Sequence, residues 1–507
     1  MKVLLTTIRT DCVQSQLTLK YLYSVLSDAP IELSMVEYAE SDVLSRMYTE
    51  IAREQYNVVY MHCDEENEAR ITALAELVKK ALPSSVVMIG GIHVTFGTRA
   101  FMMQNPCIDF VVRGEPERVM FNFLKTLITY EFDFEGIAGL AYRANDEIYI
   151  NPLDIPLQMD DLPFPYEKVR MDSFGEVYYE TIRGTSDRCA YAQFLPDARV
   201  RSLSLNRICT ELRYFLVKET ERVVITDKYF NYNTERAYRI WEYLINNDNG
   251  KTTFVFDING DAFDDETIRL LENVREGYFE FNVDVESTNA ETLAAVGRKE
   301  NIYQLFYNIS KLIQKTKIKI NVTAKIGLPY ETELLFARSF NKIFGLGAHT
   351  TKIEPLMMKK GSLLKGDAGR YGYQYSSRAP FEVIATDYIN AIDMIRIKSI
   401  AKIVDLYIGN GGFEQSLQRM MTDTGMKAYD FFARLADFIR VSGYEKKLGK
   451  TEHLYRILYA FATNIYDEMN DTLKLQIIME VIHSDLENSL SEESVKKFER
   501  KGWVLEV

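Results

Sequence analysis

The chain has 507 residues, 47% of them hydrophobic and 26% charged, with a formal net charge of -13; this length predicts two to four domains with separate cores. The negative charge is spread along the chain without a basic stripe, which excludes a nucleic-acid backbone as the main partner. No apolar run approaches membrane-spanning length, so no membrane partner is expected, and the five scattered cysteines are typical of reduced thiols in a cytoplasmic protein.

Strand-like and helix-like segments alternate over residues 1–135. Apolar runs such as "KVLLTTI" and "SVVMIGG" are separated by amphipathic segments such as "ARITALAELVKKALP". This alternation predicts an α/β domain with an open, mostly parallel sheet, which binds ligands at the carboxyl ends of its strands. The candidate ligand-binding residues at those ends are Thr7, His62, Gly90, Gly91, His93, Gly114 and Glu115.

Three further regions follow along the chain. Residues 136–170 read as a hairpin and a proline-punctuated linker, which is the expected domain boundary. Residues 171–365 contain about six strand–helix units, which fit a partial β/α barrel with its chemistry at the carboxyl ends of the strands. Residues 366–507 show helical periods and predict an all-helical domain.

Nine short motifs along nearly the whole chain carry a family likeness: "DCVQSQLTLKYL", "IGGIHVTF", "IDFVVRGEPE", "LPFPY", "YYETIRG", "DKYFN", "VESTN", "IGLPYE" and "KGSLL". Together they resemble the cobalamin-binding radical SAM proteins, in the subgroup that ends in a helical domain of unassigned function. The resemblance implies a Rossmann-like cobalamin domain, followed by a partial (β/α)6 barrel that holds a [4Fe-4S] cluster and SAM.

The resemblance also implies three cluster cysteines, spaced Cys-x3-Cys-x2-Cys directly after the Arg-Gly of "YYETIRG", which leave the fourth iron open for SAM. This chain has Thr185, Cys189 and Ala192 at those positions. Because one thiolate cannot hold a four-iron cluster, we predict that the [4Fe-4S] cluster is absent. A replacement ligand from Cys63 or Cys209 is the alternative.

The barrel strand expected near SAM is also altered. Relatives have Glu-Ile-Gly-Val-Gln where this chain has residues 282–286, so Asn282 replaces the Glu expected near the SAM ribose. The added carboxylates Asp284 and Glu286 disfavour a ligand carboxylate. On the next strand Lys325 either pairs with one of them, filling the space that SAM needs, or is a solvated charge at a strand end. We therefore expect weak or absent SAM binding.

The cobalamin groove differs at the end of the third strand. Relatives have Gly-Phe-Ser there, whereas this chain has Tyr60, Met61 and His62. A phenol in place of a glycine is expected to crowd the groove that takes the cobalamin nucleotide tail. Since Gly90 and Gly91 are retained, cobalamin stays a possible cofactor.

Two histidines and an acidic run lie beside this groove. His62 or His93 is a candidate cobalt ligand, a member of a divalent-metal set with Cys63 and Asp64, or a structural histidine. Because adjacent residues alternate faces on a strand, we expect no metal set. Residues 64–66, all acidic, are expected to lie against the corrin face and to disfavour its binding.

Two functions remain open. Changes at the cluster loop, the SAM strand and the cobalamin groove favour a pseudoenzyme, possibly in a heterodimer with an intact radical SAM paralogue. The aromatic helix "EHLYRILYAFATNIYDEM" either packs on that partner or forms its own domain core. The alternative is a cobalamin-dependent methyl-transfer enzyme that works without a cluster. Its acid–base candidates are Asp227, Asp284, Glu286 and Lys325.

Overall fold

The computed structural model describes residues 1–10, 13–169, 176–185, 189–195 and 199–503. The chain divides into two compact units, each made of three segments. Unit 1 consists of Met1–Asp257, Met357–Asp367 and Ser376–Phe381, and unit 2 of Ile258–Leu356, Ala368–Tyr375 and Glu382–Val507. Among the described residues, no helix is long and apolar enough to cross a membrane.

Unit 1 begins with a seven-stranded sheet in the order β2-β1-β3-β4-β5-β6-β7. Its strands are β1 (Lys2–Ile8), β2 (Glu32–Tyr38), β3 (Val58–His62), β4 (Val86–Gly90), β5 (Phe110–Val112), β6 (Leu140–Ala144) and β7 (Glu147–Ile150). Its helices are α1 (Val13–Leu26), α2 (Leu44–Glu54), α3 (Glu68–Ala81), α4 (Ile92–Thr95), α5 (Thr98–Gln104) and α6 (Pro116–Thr129). The first five strands are parallel, as predicted. The last two are antiparallel, so the hairpin expected in the linker extends this sheet.

The strand order locates the ligand-binding edge of this sheet. In a doubly wound sheet with β1 between β2 and β3, the order in which successive strands are added reverses between β1 and β3, which leaves a crevice at their carboxyl ends. Alternate residues of β3 pack on opposite faces: Val59 and Met61 lie in one core, and Val58 and Tyr60 in the other. Both faces are therefore covered, as parallel strands require.

The remainder of unit 1 starts the second strand–helix series. Its elements are a 3-10 turn (Met159–Asp161), α7 (Pro165–Lys168), β8 (Glu176–Tyr179), β9 (Ile182–Arg183), β10 (Arg201–Ser202), α8 (Leu205–Val217), β11 (Arg222–Ile225), a 3-10 turn (Phe230–Tyr232), α9 (Thr234–Asn246) and β12 (Thr253–Ile258). β11 pairs in parallel with both β8 and β12, and β9 pairs antiparallel with β10.

Unit 2 continues the series with a second set of parallel strands. Its elements up to residue 355 are α10 (Asp265–Leu271), β13 (Phe279–Glu286), α11 (Ala290–Ala295), α12 (Ile302–Lys315), β14 (Lys319–Ile326), α13 (Glu333–Phe344) and β15 (Thr350–Pro355). β14 pairs in parallel with β13 and β15, and the register shifts between Asp284 and Glu286.

The chain then returns to unit 1 through residues 357–367 and 376–381, which we name the return segment. It contains α14 (Leu363–Gly366). The rest of unit 2 is mostly helical, but the all-helical prediction missed one antiparallel strand pair, β16 (Gln374–Tyr375) and β17 (Val383–Ala385). Its other elements are a 3-10 turn (Ala368–Tyr371), α15 (Ala391–Val404), a π-helical turn (Asp405–Gly409), α16 (Glu414–Thr424), α17 (Ala428–Val441), a 3-10 turn (Tyr444–Lys447), α18 (Thr451–Glu468), α19 (Thr472–Ser489) and α20 (Glu492–Lys501).

The aromatic helix α18 supplies the core of the helical domain. Tyr455, Phe461 and Tyr466 are all buried. The ring of Phe461 lies 5.7 Å from that of Phe431 on α17 and 5.4 Å from that of Phe438. Of the two interpretations of this helix, the structure supports the domain's own core.

Candidate functional site

The loop after β9 contains the three positions where the family has cluster cysteines. Gly184 begins it with a positive φ of 87°, a conformation that glycine adopts without steric cost. Cys189 is buried, and its carbonyl accepts a hydrogen bond from the amide of Ala192 at 3.0 Å. Thr185 and Ala192 offer no thiolate, so this loop carries one soft ligand.

The two proposed replacement cysteines lie in other surroundings. Cys63 is fully buried beyond β3 and its thiol donates to the carbonyl of Asp64 at 3.5 Å, while Cys209 lies on α8. Burial raises the pKa of both thiols, which disfavours the thiolate that a metal needs. Among the described residues, no group of three or more His, Cys, Asp or Glu side chains is arranged to hold a metal ion.

The return segment holds the cluster loop. The amide of Leu364 donates to the carbonyl of Ala190 at 2.8 Å, and the side-chain amide of Gln193 donates to the carbonyl of Lys360 at 2.7 Å. Both contacts use backbone carbonyl groups, so they depend on the path of the chain. The loop is thereby fixed to a segment some 170 residues further on.

Lys360 also ties the return segment to the first sheet. Its ammonium lies 3.1 Å from Glu68 Oε2 and 3.0 Å from His93 Nε2. The same His93 nitrogen lies 2.6 Å from Glu68, and the imidazole stacks on Phe381 at a centroid distance of 6.0 Å. Burial lowers the pKa of His93, but the nearby carboxylates of Glu65 and Glu68 outweigh this effect, so the net shift of the pKa is upward. This histidine, predicted as a candidate cobalt ligand, forms a buried ion-pair cluster.

Several other predicted binding residues have structural partners. The hydroxyl of Thr7 donates to the carbonyl of His62 at 2.9 Å, and Glu115 forms ion pairs with Arg183 and Arg201. Gly114 has a positive φ of 76°, and its amide donates to the hydroxyl of Thr95. These contacts explain the residue types without a ligand.

Asp64 and Gly91 shape the turn after β3. One carboxylate oxygen of Asp64 accepts the amides of Glu66 and Asn67, each at 2.9 Å, so it closes a local turn beside the pocket that it also lines. A Cβ at Gly91 would lie 2.1 Å from the carbonyl oxygen of Cys63. Glycine is required at position 91 by this close backbone approach.

Tyr60 lies where the sequence predicted crowding. Its side chain is fully buried, and a Cβ at Gly90 would lie 2.3 Å from its hydroxyl oxygen. The same oxygen lies 3.3 Å from His62 Nδ1. Burial lowers the pKa of His62 to about 4, so its imidazole is neutral at pH 7.

A pocket of about 270 Å³ lies at the carboxyl ends of β3, β4 and β5. Its lining includes His62, Gly91, Gly114, Glu117 and Arg183. Polar side chains and two glycines at a strand edge suit the rim of a corrin ring. The space over Gly90 is filled by the phenol ring of Tyr60.

Asp227, the catalytic candidate of unit 1, is used by the backbone around β9. One carboxylate oxygen accepts the amides of Thr181 at 2.6 Å and Ile182 at 3.0 Å, and the other accepts the Thr181 hydroxyl. Burial raises the pKa of Asp227 to about 6, against the effect of Arg236 at 3.9 Å. This side chain anchors the strand that leads into the cluster loop.

The three candidates of unit 2 lie near the ends of β13 and β14. Glu286 is buried at a positive φ of 64°, and burial raises its pKa to about 8. The backbone carbonyl of Asp284 accepts a hydrogen bond from Arg298 at 2.8 Å. Lys325 was expected either to pair with one of these acids or to be a solvated charge. Its ammonium lies 3.2 Å from Glu354 on the neighbouring strand β15, and its charge acts against the raised pKa of Glu286.

Two further buried carboxyl groups escaped the sequence reasoning. Glu331, beyond β14, accepts a hydrogen bond from Ser287 at 2.5 Å, and burial raises its pKa to about 8. Glu117 at the start of α6 accepts from Arg183 at 2.7 Å through Oε1, while its buried Oε2 has no hydrogen-bond partner among the described residues. Both lie in segments already singled out, "IGLPYE" and "VVRGEPE", and only their burial distinguishes them from surface acids.

Three protein-family models match the chain. The B12 binding domain matches residues 1–123, the Radical SAM superfamily matches residues 179–340, and DUF4080, described as a protein of unknown function, matches residues 369–503.

Two curated proteins illustrate the likeness in sequence. A protein of Pyrococcus horikoshii named as an uncharacterized methyltransferase is 33% identical over 184 residues, which are 33% of this chain and 38% of that protein. The cobalamin-dependent radical SAM methyltransferase TokK of Streptomyces tokunonensis is 23% identical over 319 residues, which are 58% of this chain and 45% of that protein. The chain thus matches less than half the length of each relative.

Solved structures show the same fold. The cobalamin-dependent SAM radical enzyme OxsB, with aqua-cobalamin and SAM bound, has a TM-score of 0.61 at 12% identity and covers 99% of this chain and 84% of its own. The radical SAM methyltransferase TsrM of Kitasatospora setae, with cobalamin and a [4Fe-4S] cluster bound, has a TM-score of 0.61 at 17% identity and covers 78% of this chain and 79% of its own.

The predicted fold class is therefore confirmed: a B12-binding domain, a radical SAM domain and a helical C-terminal region follow one another. At two of the family's three cluster-cysteine positions this chain has Thr185 and Ala192. The chain belongs to the cobalamin-binding radical SAM proteins, in a group with a C-terminal DUF4080 domain.

Proposed function

We propose that this chain is a cluster-less scaffold, a pseudoenzyme that acts as the non-catalytic partner of an intact radical SAM paralogue. The observation that carries the proposal is the residue set Thr185, Cys189 and Ala192. One thiolate leaves a [4Fe-4S] cluster without the cysteine ligands it requires.

The surroundings of the cluster loop support this proposal. The return segment holds Ala190 and Gln193 of the loop by hydrogen bonds, and these contacts do not need a cluster. In unit 2, Glu286 and Glu331 are buried carboxyl groups with raised pKa values. Both groups keep their proton at pH 7, so they occupy the strand ends as neutral side chains and do not repel a ligand carboxylate.

The test is iron and sulfide analysis after anaerobic reconstitution. The chain should retain neither, whereas the variant Thr185→Cys/Ala192→Cys should gain about four of each per chain with a broad absorption near 400 nm. A matched control, Thr185→Ser/Ala192→Ser, should behave like the unaltered chain. Stoichiometric iron and sulfide in the unaltered chain would contradict the proposal.

SAM titration calorimetry provides a second readout. We expect weak or absent binding in the unaltered chain, because Asn282 replaces the Glu expected near the ribose and Glu286 adds a buried carboxyl group. The cysteine-restored variant should recover a cluster more readily than SAM affinity. A micromolar dissociation constant for SAM in the unaltered chain would argue against the loss of SAM binding.

A partner surface is available on α15. Ile392 and Ile395 are 79% and 64% exposed, respectively, and residues three apart share a helix face. Co-expression with a radical SAM paralogue should give a complex on gel filtration that Ile392→Lys/Ile395→Lys weakens. Separate elution of the two unaltered chains would count against the heterodimer. A cytoplasmic location stays a prediction.

A cobalamin-dependent methyl transfer without a cluster is the second candidate, favoured by the methyltransferase names of the two curated relatives. Cobalamin, when bound, supplies a cobalt centre that can carry a methyl group. Among the chain's own acids, Asp227 is occupied by backbone amides, which leaves Glu286 and Glu331 as the buried groups that can hold a proton near pH 8. Methylation of any acceptor by the cluster-free protein would favour this candidate.

A further inference from the structure

Five aromatic side chains lie at the end of α6, in the loop that follows it and on the β6–β7 hairpin. Tyr130, Phe132 and Tyr149 are 79%, 55% and 40% exposed, respectively. The rings of Tyr130 and Phe132 lie 6.1 Å apart, and the ring of Tyr149 stacks on that of Tyr142 at 5.2 Å. Phe134 connects the two pairs, because it follows Phe132 by two residues and its ring lies 5.8 Å from that of Tyr142. We name these five side chains the aromatic patch. Contiguous exposed rings, unlike isolated ones, mark a surface that binds a partner.

The two most exposed rings of the aromatic patch also carry backbone strain. Tyr130 ends α6 with a φ of 59°, and Phe132 has a φ of 50°. A bulky residue at positive φ is an outlier, and such outliers concentrate at functional positions. The fold therefore holds both rings in solvent in a conformation that costs free energy.

Four exposed acidic side chains accompany the rings: Glu131, Asp133, Glu135 and Glu147. The Asp133 carboxylate accepts the backbone amides of Glu135 at 3.1 Å and Gly136 at 3.3 Å, and Glu147 Oε2 accepts the Tyr149 hydroxyl at 3.2 Å. These partners are neutral. Within the described ranges no lysine or arginine pairs with any of the four acids, and none lies over a ring of the aromatic patch.

The acids are close enough to act on the rings. Desolvation and the charges of Glu135 and Asp133 raise the pKa of Tyr142. The hydrogen bond with Glu147, together with the charges of Glu147 and Glu135, raises the pKa of Tyr149. A cation over these rings would therefore be attracted both by the face of the ring and by a neighbouring carboxylate.

The cation that this surface lacks can come from a partner. We propose that the aromatic patch docks an arginine-bearing segment of another protein, whose guanidinium groups stack on the exposed rings and pair with the neighbouring carboxylates. Arginine fits better than lysine, because its planar guanidinium stacks on aromatic faces and binds a carboxylate through two N–H groups. The net charge of -13 disfavours a second copy of this chain as the occupant. The inference is separate from the proposed function, since it uses neither the cluster loop nor α15.

The test is a fluorescence-anisotropy titration of the full chain with a labelled peptide that alternates arginine with serine. Two counterpart peptides have lysine or glutamate in place of arginine. The arginine peptide should bind saturably, the lysine peptide more weakly and the glutamate peptide not at all. Equal affinities for the arginine and lysine peptides, or binding of neither, would overturn the proposal.

Tyr130→Ser/Phe132→Ser tests the rings, because it removes the two most exposed ones and keeps all four acids. Binding of the arginine peptide should weaken about fivefold to thirtyfold, the effect of losing two cation–π contacts. The matched control is Tyr303→Ser/Tyr307→Ser, at two exposed tyrosines of α12, which should bind like the unaltered chain. Unchanged affinity in Tyr130→Ser/Phe132→Ser would show that the rings do not dock the peptide.

Glu131→Gln/Glu135→Gln tests the carboxylates, because it removes two charges and keeps the rings. Binding of the arginine peptide should weaken about twofold to thirtyfold, and the weakening by added salt should become less steep. Glu221→Gln/Glu235→Gln, at two exposed acids of the same unit, is the control and should change neither property. An unchanged affinity and salt dependence in Glu131→Gln/Glu135→Gln would contradict the pairing.

Gel filtration of the protein without peptide examines the other occupant. The unaltered chain and Tyr130→Ser/Phe132→Ser should elute at the same volume. A dimer of the unaltered chain that this variant dissociates would assign the aromatic patch to a second copy and overturn the proposal.

Discussion

The buried carboxyl group of Glu331 should make the protein less stable as the pH rises through neutrality. Its side chain is fully buried and hydrogen-bonded to Ser287, and burial raises its pKa from 4.5 to about 8. In the folded protein the group keeps its proton at pH 7. In the unfolded chain it releases that proton above its ordinary pKa, and this release favours unfolding.

The size of the effect follows from the two pKa values. At pH 7 ionisation of this group stabilises the unfolded chain by 2.3RT for each of the roughly 2.5 pH units above the ordinary pKa. The free energy of unfolding is therefore lower by about 3 kcal/mol than it is below that pKa. The sign is that of an acid with a raised folded pKa: the stabilising contribution is complete below pH 4.5 and is lost as the pH rises towards 8. Glu331→Gln removes the ionisation and retains an oxygen that can accept from Ser287.

Urea unfolding followed by circular dichroism between pH 5 and pH 8 measures this difference. The free energy of unfolding of Glu331→Gln should lie within about 1 kcal/mol of that of the unaltered chain at pH 5 and exceed it by about 4 kcal/mol at pH 8. Glu291→Gln, at an exposed position on α11 of the same unit, is the control and should run parallel to the unaltered chain. Parallel profiles for Glu331→Gln would refute the raised pKa.

Two further predictions concern unit 1. Asp227→Asn should lower the free energy of unfolding by about 1–3 kcal/mol. The Asp227 carboxylate accepts hydrogen bonds from Thr181 and Ile182 with both oxygens, whereas an asparagine amide has only one acceptor oxygen. An unchanged urea midpoint would contradict this anchoring role. Lys360→Ala should speed chymotrypsin cleavage within the return segment about fivefold, as expected for the loss of an ion pair worth about 1 kcal/mol. The control Lys80→Ala, at an exposed position, should leave the cleavage rate unchanged. Equal cleavage rates in the two variants would show that Lys360 does not hold the segment.

The order of strands and helices could be predicted from the sequence because each element has its own periodicity. The parallel sheet and the helical C-terminal region follow from such local patterns. The return segment could not be predicted, because its contacts join residues far apart in sequence: Lys360 to Glu68 across 292 residues and Lys360 to His93 across 267. No local pattern carries information about such pairs.

The candidate site was predictable where a residue type decides the chemistry. Thr185 and Ala192 exclude thiolate ligands whatever their surroundings. The ion pair of Lys325 with Glu354 was not predictable, because it depends on the register of β14 and β15. Burial separates Glu331 from surface acids, and it depends on the whole fold.

The divided path of unit 1 has a consequence for how the protein is made. Residues 68 and 93 leave the ribosome early, but their partner at residue 360 follows only after about a hundred residues of unit 2 have been synthesised. The 267 residues between His93 and Lys360 take roughly 13–53 s to synthesise at 5–20 residues per second. During this interval the histidine and carboxylates of the nascent chain lack the lysine that pairs with them in the folded protein. Expression of residues 1–257 alone should reproduce this unfinished state, and adding the return segment as a separate peptide should protect it from proteolysis.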